Sequence, residues 1–218
     1  MSRGLFISVE GGEGAGKTLQ CRALVTHLER LGYQTKLVRE PGETGLGQRI
    51  RKLVLFTKDF TVTPEAEALL FTAARAQLTC EIVRPTLDAG AHVVADRFFD
   101  STLAYQGFGR GADLAGLLAI TRFAVADTVP DLTFLLDVPV DVAASRLQKR
   151  SPRLDRIESF DRAFHSRVRE GYLSLAKKDP KRWLVIDATR PELHVSRLMA
   201  ARVDEEIERR TTHRIAAH

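Results

Sequence analysis

The sequence predicts an α/β protein in which a parallel sheet is covered by helices on both faces. Short apolar runs alternate with longer amphipathic stretches along the 218 residues. The runs are continuously apolar and rich in β-branched and aromatic residues, as in strands buried on both faces. Their limits are 5–9, 35–38, 92–95, 132–136 and 183–186. This alternation predicts parallel strands joined by crossover helices.

Helical periodicity fills the segments between the predicted strands. Leu24, Leu28 and Leu31 share one helix face, and Gly32 follows them as a natural stop. Thr63 precedes a proline and a glutamate, a sequence typical of an N-cap and first helical turn. One helix should therefore end before Gly32, and another should begin after Thr63.

Two further helices are predicted in the second half of the chain. Phe160, Phe164 and Val168 recur at every fourth position, the spacing of one helix face. Thr189 and Glu192 have the spacing of a capping box, which predicts the start of the last helix. Residues 211–218 contain few apolar groups, so we expect one domain over residues 1–210 and a frayed tail after it.

The composition is that of an ordinary globular protein with a basic balance. Lysine and arginine total 33 against 28 acidic residues, a formal net charge of +5, which suits polyanions. The basic residues lack interleaved aromatic residues and no apolar run reaches membrane-spanning length, so neither a nucleic acid nor a membrane is expected as a partner. Cys21 and Cys80 lack metal-ligand spacing, so we expect two buried, reduced thiols in a cytoplasmic protein.

A glycine-rich segment after the first predicted strand matches G-x-x-x-x-G-K-[ST], the phosphate-binding P-loop. Its residues are Gly11, Gly12, Glu13, Gly14, Ala15, Gly16, Lys17 and Thr18. Glycines let the backbone wrap closely around phosphates with its N–H groups pointing at their oxygens. We expect this segment to bind ATP, with Lys17 as a catalytic cation at the outer phosphates and the Thr18 hydroxyl on Mg²⁺.

Two aspartates end predicted strands, where ligands bind in open α/β sheets. Asp96 follows the third strand and is a candidate to hold Mg²⁺, directly or through water. Asp137 ends the fourth, but such an aspartate is more often only a loop starter. A P-loop is also found in switch GTPases and motors; the chain contains no guanine-reading Asn-Lys-x-Asp element and is too short for a separate motor domain.

Residues 96–107, which read DRFFDSTLAYQG, resemble the signature of thymidylate kinases. Four other segments also resemble elements of this family, and they occur along the chain in the order that the family has. They are residues 39–42, 50–55, 70–75 and 154–158. The resemblance implies the P-loop nucleoside-monophosphate kinase fold, with a five-stranded parallel sheet and a small mobile lid at about residues 148–158. It also implies a homodimer that uses ATP and Mg²⁺ to phosphorylate dTMP to dTDP, in the synthesis of dTTP.

The resemblance assigns the base contacts of dTMP, and the packing under its sugar, to five residues. Phe71 would stack on the thymine ring, and Arg75 would hydrogen-bond a base oxygen. Thr102 and Gln106 would approach the rest of the base edge. Tyr105 would pack under the sugar, where a 2′-hydroxyl would clash.

The remaining acceptor contacts carried over from the family are charged. Arg51 and Arg97 would hold the acceptor phosphate, with Arg97 also catalytic, and Glu13 would meet the sugar 3′-hydroxyl. Considered singly, Phe71 would be a core residue, and Arg51 and Arg75 would be solvated charges. Only the family pattern favours binding roles for them.

Phosphoryl transfer to a monophosphate needs cations and a metal rather than a general base. The acceptor, with a second pKa near ~6, is already largely a dianion at pH 7. The P-loop supplies no arginine, which resembles the bacterial arrangement in this family; the resemblance implies that an arginine of the basic segment 149–156 closes over the transferred group. Arg153 is the favoured catalytic arginine and Arg150 the alternative. Glu43 stands where many family members have glycine, so the acceptor mouth could differ here.

Other functions are compatible with the same motifs. The pocket could accept another nucleoside monophosphate or a deoxynucleoside instead of dTMP. The chain could also be an ATP-binding regulatory module that has lost turnover, although intact Lys17, Thr18 and Asp96 argue against this.

Overall fold

The structure is a computed structural model that describes residues 3–56, 60–150 and 155–216, with the backbone alone for residues 150 and 213–216. Five parallel strands form one sheet in the order β2-β3-β1-β4-β5. They are β1 (Phe6–Glu10), β2 (Thr35–Arg39), β3 (His92–Asp96), β4 (Leu132–Asp137) and β5 (Trp183–Asp187). Each strand limit is within about one residue of its predicted position, so the predicted parallel sheet is confirmed.

The central strand β1 determines where a ligand can bind. Val9 pairs with Asp96 of β3, and Glu10 pairs with Leu135 of β4. The strands after β1 lie first on one side of it and then on the other. The carboxyl end of β1 is therefore at the switch in strand order, where open α/β sheets bind their ligands.

Helices connect the strands and cover the sheet. They are α1 (Lys17–Arg30), α2 (Gly45–Phe56), α3 (Pro64–Leu78), α4 (Arg84–Asp88), α5 (Phe99–Thr102), α6 (Leu114–Val125), α7 (Val140–Arg150), α8 (Arg162–Lys178) and α9 (Glu192–Ala216). Two π-helical turns, Thr79–Val83 and Leu103–Gly109, follow α3 and α5. Such wide turns are frequent at functional sites, and the second one carries Tyr105 and Gln106.

The core lies on both faces of the sheet. On one face, Ile7 and Val9 of β1 pack with Leu28 of α1 and Met199 of α9. On the other face, Phe6 packs in a cluster that includes residues of α3 and α6. These side chains are fully buried, and each such burial contributes about 1.5–3 kcal/mol. The predicted arrangement of helices on both faces is confirmed.

The predicted end of a helix before Gly32 and the predicted start of another after Thr63 are confirmed, but the placing of one residue is wrong. α1 ends at Arg30 and Gly32 adopts a φ of +88°. The Thr63 hydroxyl accepts a hydrogen bond from the N–H of Ala66 at 3.3 Å, as an N-cap should. Leu31 was expected on the buried face but is 52% exposed, because it is the C-cap residue beyond the last helical turn.

The predictions for two residues near the starts of α8 and α9 are wrong. Phe160 lies before α8, whose N-cap is Asp161; its carboxylate accepts from the N–H of Phe164 at 2.7 Å. Thr189 does not cap α9, because its hydroxyl donates to the Asp187 carboxylate at 2.6 Å within the turn after β5. Aspartate is a strong cap and turn former: Asp161 caps α8, and Asp187 binds Thr189 within the turn before α9.

Other expectations about the chain differ in detail. Cys21 is buried as expected, but Cys80 is exposed. The backbone of α9 is helical to Ala216, and the frayed tail expected for residues 211–218 stays a prediction. No helix in the described part of the chain is both long and apolar enough to cross a bilayer.

Candidate active site

The P-loop joins β1 to α1 in a tight turn. Gly11, Gly14 and Gly16 have φ angles of +144°, +72° and +89°, a region that glycine adopts without steric cost. A Cβ on Gly11 would lie 2.6 Å from the carbonyl oxygen of Leu136, so the loop also packs too closely for a side chain. The backbone conformation therefore requires all three glycines, and packing also requires Gly11 and Gly14.

Lys17 lies inside the loop. Its Nζ donates to the carbonyl oxygens of Gly11 at 3.1 Å and Gly12 at 2.7 Å. Burial, followed by the charge of Arg97, lowers the pKa of Lys17 to about 8, although nearby carboxylates including Glu13 oppose the shift. A polyanion held in the loop would favour the charged ammonium again.

Thr18 and Asp96 bring two oxygens together beside the loop. The Thr18 hydroxyl, in the first turn of α1, donates to Asp96 Oδ2 at the end of β3 at 2.5 Å. Mg²⁺ commonly takes only one or two protein ligands and completes its shell with phosphate oxygens and water. In the described ranges no group of three or more His, Cys, Asp or Glu could hold a metal by itself. The donor set therefore fits a Mg²⁺ ion bound together with a nucleotide.

One cavity of about 680 Å³ connects the P-loop with the expected acceptor pocket. From the P-loop side, Gly14, Gly16, Lys17, Thr18 and Asp96 line it, whereas Gly11, Gly12 and Ala15 do not. The expected dTMP contacts that line it are Glu13, Arg51, Phe71, Arg75, Arg97, Thr102, Tyr105 and Gln106. The structure thus brings every one of these predicted acceptor residues to the same cavity as Lys17.

Arg97 links the acceptor pocket to the P-loop. Its φ of +75° is unusual for a residue with a side chain, and its guanidinium is held by several contacts. Nη2 donates to Glu13 Oε1 at 2.5 Å and to the Tyr105 hydroxyl at 2.9 Å. Burial alone would raise the pKa of Glu13, but Arg97, Lys17 and the Tyr105 hydrogen bond outweigh it and bring the pKa to about 2.

Glu10 is a buried acid that the sequence interpretation missed. Its carboxylate accepts from the Phe98 N–H at 2.7 Å, from the Ser101 hydroxyl at 2.6 Å and from the Tyr172 hydroxyl at 3.0 Å. Burial raises its pKa. Both hydroxyls also accept from Arg97 Nη1 at 3.2 Å, so Glu10 supports the arginine through them. An acid at the end of an apolar strand gives no local signal of such a role.

A buried ion pair fixes Arg75. Its Nε donates to Glu40 Oε2 at 2.7 Å and its Nη1 donates to the Thr102 hydroxyl at 3.0 Å. Burial raises the pKa of Glu40 to about 7, against the opposing charge of Arg75. Arg51, from α2, donates to the carbonyl oxygen of Pro41 at 3.2 Å. The segment 39–42 thus positions both arginines, a role that its resemblance to a family element did not specify.

Several further residues line the cavity to which the sequence analysis assigned no binding role. They are Leu19, Arg39, Glu40, Pro41, Leu55, Phe56, Ser101, Arg146, Leu147, Asp155, Ile157 and Glu158. Glu43 is exposed and does not line the cavity. Asp137 forms a two-point ion pair with Arg169 at 2.6 and 2.8 Å and lines a separate cavity of about 270 Å³.

The two candidate lid arginines are not described fully enough to test their role. Arg153 lies outside the described residues, and so does the side chain of Arg150. At the end of this segment, Arg156 Nε donates to the carbonyl oxygen of Val54 at 2.8 Å. Arg156 therefore ties the segment to α2.

A P-loop that shares its cavity with a pocket for a second phosphorylated compound is typical of P-loop nucleoside-monophosphate kinases, and the fold places the chain in this class. The model of the family described as "Thymidylate kinase" matches residues 9–199. The chain belongs to the thymidylate kinase family and is an enzyme of that family. The resemblance and the fold class inferred from the sequence are therefore confirmed.

Individual relatives agree with this assignment. A thymidylate kinase of Thermomicrobium roseum is 47% identical over 204 residues, covering 94% of this chain and 96% of the relative. One from Deinococcus radiodurans is 46% identical over 205 residues, covering 94% and 98%. The crystal structure of thymidylate kinase from Ehrlichia chaffeensis superposes with a TM-score of 0.76 at 32% identity, covering 93% of this chain and 99% of that one.

Proposed function

We propose that this chain transfers the terminal phosphoryl group of ATP to dTMP, giving dTDP and ADP by in-line displacement with Mg²⁺. The observation that carries the proposal is the single cavity lined both by the P-loop residues Lys17 and Thr18 and by Phe71 and Arg75. It is supported by membership of the thymidylate kinase family. The product dTDP would enter dTTP synthesis, and we expect a cytoplasmic enzyme.

Charge neutralisation and alignment account for the chemistry. Lys17 would hold the outer phosphates of ATP, and Arg51 and Arg97 would hold the phosphate of dTMP facing them. Because that phosphate is already largely a dianion, with a second pKa near ~6, it can attack without a general base. Both Nη atoms of Arg97 already donate to neighbouring groups, so the incoming phosphate would meet Nε or replace one of these contacts.

Recognition of the acceptor would depend on the walls of the same cavity. Phe71 would stack on the base, and Arg75, held by Glu40, would donate to a base oxygen. Thr102 and Gln106 would approach the rest of the base edge. Tyr105 would pack under the deoxyribose.

The oxygens of Thr18 and Asp96 would hold Mg²⁺ or its water shell. The ion would supply positive charge between the donor phosphates. An Asp96→Asn variant should require a higher Mg²⁺ concentration for half-maximal activity. An unchanged Mg²⁺ requirement would remove Asp96 from this role.

The enzyme is proposed to be a homodimer. Leu69 on α3 and Phe123 on α6 are 55% and 92% exposed, and these two helices pack side by side. A second copy would cover these apolar side chains. Sedimentation should show a dimer that Phe123→Asp weakens, whereas Leu193→Asp, on the isolated exposed Leu193 of α9, should leave it intact. A monomer in the unsubstituted protein would contradict this.

A panel of acceptors tests the substrate. Initial rates of ADP formation would be compared for dTMP, its ribose analogue, dUMP, dGMP and thymidine, each with ATP and Mg²⁺. The highest kcat/KM should be that for dTMP. Preference for another acceptor would indicate a different nucleotide kinase, and ATP binding without transfer to any of them would indicate a regulatory module.

A further inference from the structure

We propose that Glu67 is a positioning residue for base recognition, because its carboxylate orients the side-chain amide of Gln106. In this orientation the amide oxygen, rather than the nitrogen, is presented to the acceptor base. The inference rests on the proposed function, since it concerns how that site selects thymine.

The contact between the two side chains is buried. Glu67 on α3 is 0% exposed and does not line the main cavity, whereas Gln106 does. Gln106 Nε2 donates to Glu67 Oε1 at 2.7 Å. A carboxylate can only accept hydrogen bonds, and the reversed amide would place two oxygens against each other. Glu67 therefore leaves Oε1 of Gln106 as the polar atom available to a ligand.

The carboxylate is itself fixed at its second oxygen. Glu67 Oε2 accepts from Arg110 Nη1 at 3.1 Å and from Arg156 Nη2. Both arginines are anchored, Arg110 on the carbonyl oxygen of Val62 at 3.2 Å and Arg156 on that of Val54 at 2.8 Å. The two arginines fix the carboxylate in place, so the orientation of Gln106 is determined before a ligand binds.

The orientation of Gln106 matters because pyrimidines differ along the edge that it would meet. Thymine carries a hydrogen on N3, which an amide oxygen can accept. 5-Methylcytosine has an unprotonated N3 acceptor instead, which an amide oxygen would repel. Glu67 thus favours thymine through Gln106, without touching the base itself.

Glu67→Gln tests the proposal. The new amide can donate or accept, so Gln106 is no longer confined to one orientation. The ratio of kcat/KM for dTMP to that for 5-methyl-dCMP, which share sugar, phosphate and methyl group, should fall about tenfold. The KM for ATP should be unchanged. In a Gln106→Leu background the same substitution should not alter the ratio further.

A matched control separates selectivity from stability. Arg110→Gln removes one of the two ion pairs of Glu67 but leaves the pair with Arg156 and the contact with Gln106, so it should lower thermal stability without changing the ratio. If Glu67→Gln does not fold, Glu67→Asp, which keeps the charge but withdraws it from Gln106, should lower the ratio instead.

Two results would overturn the positioning role while dTMP kinase activity stands. One is an unchanged ratio in the folded Glu67 variants. The other is an equal fall with and without Gln106. Absence of dTMP turnover in the unsubstituted enzyme would instead refute the proposed function itself.

Discussion

The Tyr105 hydroxyl donates a 2.8 Å hydrogen bond to Glu13 Oε1, the carboxylate oxygen that also pairs with Arg97. Glu13 belongs to the P-loop, and Tyr105 belongs to the π-helical turn of the acceptor pocket. Direct hydrogen bonds therefore connect the P-loop to the acceptor pocket without the help of either substrate.

The buried ring of Tyr105 should determine the discrimination between deoxyribose and ribose. Tyr105→Ala removes the ring and should lower the kcat/KM ratio of dTMP to its ribose analogue by about tenfold. Tyr105→Phe keeps the ring and should keep the ratio, while loss of the Glu13 hydrogen bond reduces kcat/KM for both substrates several-fold. An unchanged ratio in Tyr105→Ala would show that the sugar is selected elsewhere.

Lys17 should couple ATP binding to proton uptake above pH 8. Its pKa in the unliganded enzyme is about 8, well below 10.5, and a bound polyanion should raise it. At a pH between the pKa of Lys17 in the unliganded enzyme and its higher pKa in the ATP complex, binding takes up a proton. Calorimetry in buffers of different ionisation enthalpy detects this uptake. Lys17→Met should abolish the uptake and lower kcat by at least about 100-fold.

Lys36 is exposed and provides the matched control. Lys36→Met should retain both the proton uptake and the turnover. Binding heats that do not depend on the buffer in the unsubstituted enzyme would contradict the lowered pKa of Lys17.

The raised pKa of Glu40 should make the free energy of unfolding depend on pH. Burial raises its pKa from 4.5 to about 7, so the folded state keeps a proton that the unfolded state has released. Its contribution is fully present below pH 4.5 and is lost as the pH rises through 7. Relative to Glu40→Gln, the unsubstituted protein should lose about 3 kcal/mol in free energy of unfolding across this window.

Urea titrations at a series of pH values would measure this difference. Glu43→Gln, at an exposed position, should instead give a curve parallel to that of the unsubstituted protein. A Glu40→Gln curve that is also parallel would show that Glu40 has an ordinary pKa.

An arginine of the segment 149–156 should be needed for turnover. Arg153→Ala should lower kcat by about 10³-fold or more, as removal of other arginine fingers does, with a smaller effect on KM for dTMP. Single-turnover rates of the Arg150→Ala, Arg153→Ala and double variants would identify the residue. Full turnover in the double variant would rule out a catalytic arginine at both positions.

The sheet and the P-loop could be predicted because their signals are local. Continuously apolar runs that alternate with amphipathic helices indicate a parallel sheet. The strands β1, β3 and β4 are almost wholly buried as expected, whereas the edge strands β2 and β5 are partly exposed. Gly11, Gly14 and Gly16 have the positive φ that favours glycine. Thr63 was recognised as a cap for the same reason. Thr189 was misplaced because its hydroxyl donates to Asp187 instead of capping α9. Phe160 was misplaced because Asp161, the next residue, is the N-cap of α8.

The buried acids could not be predicted, because their partners are distant in sequence. Glu10, Glu40 and Glu67 look like ordinary strand-end or helix-face acids, and the partners that keep them buried come from other elements. Arg75 and Gln106 were placed through the family pattern, but that pattern does not indicate which acid orients them. Side-chain contacts across elements become visible only in the folded chain.

The central claim is that dTMP lies in the cavity with its base on Phe71 and its phosphate facing the P-loop. A crystal structure of the enzyme with dTMP and ADP tests it most directly. We predict the thymine ring stacked on Phe71, Arg75 within hydrogen-bonding distance of a base oxygen, and the phosphate on Arg97. A cavity without dTMP, or dTMP bound with its base away from Phe71, would contradict the account.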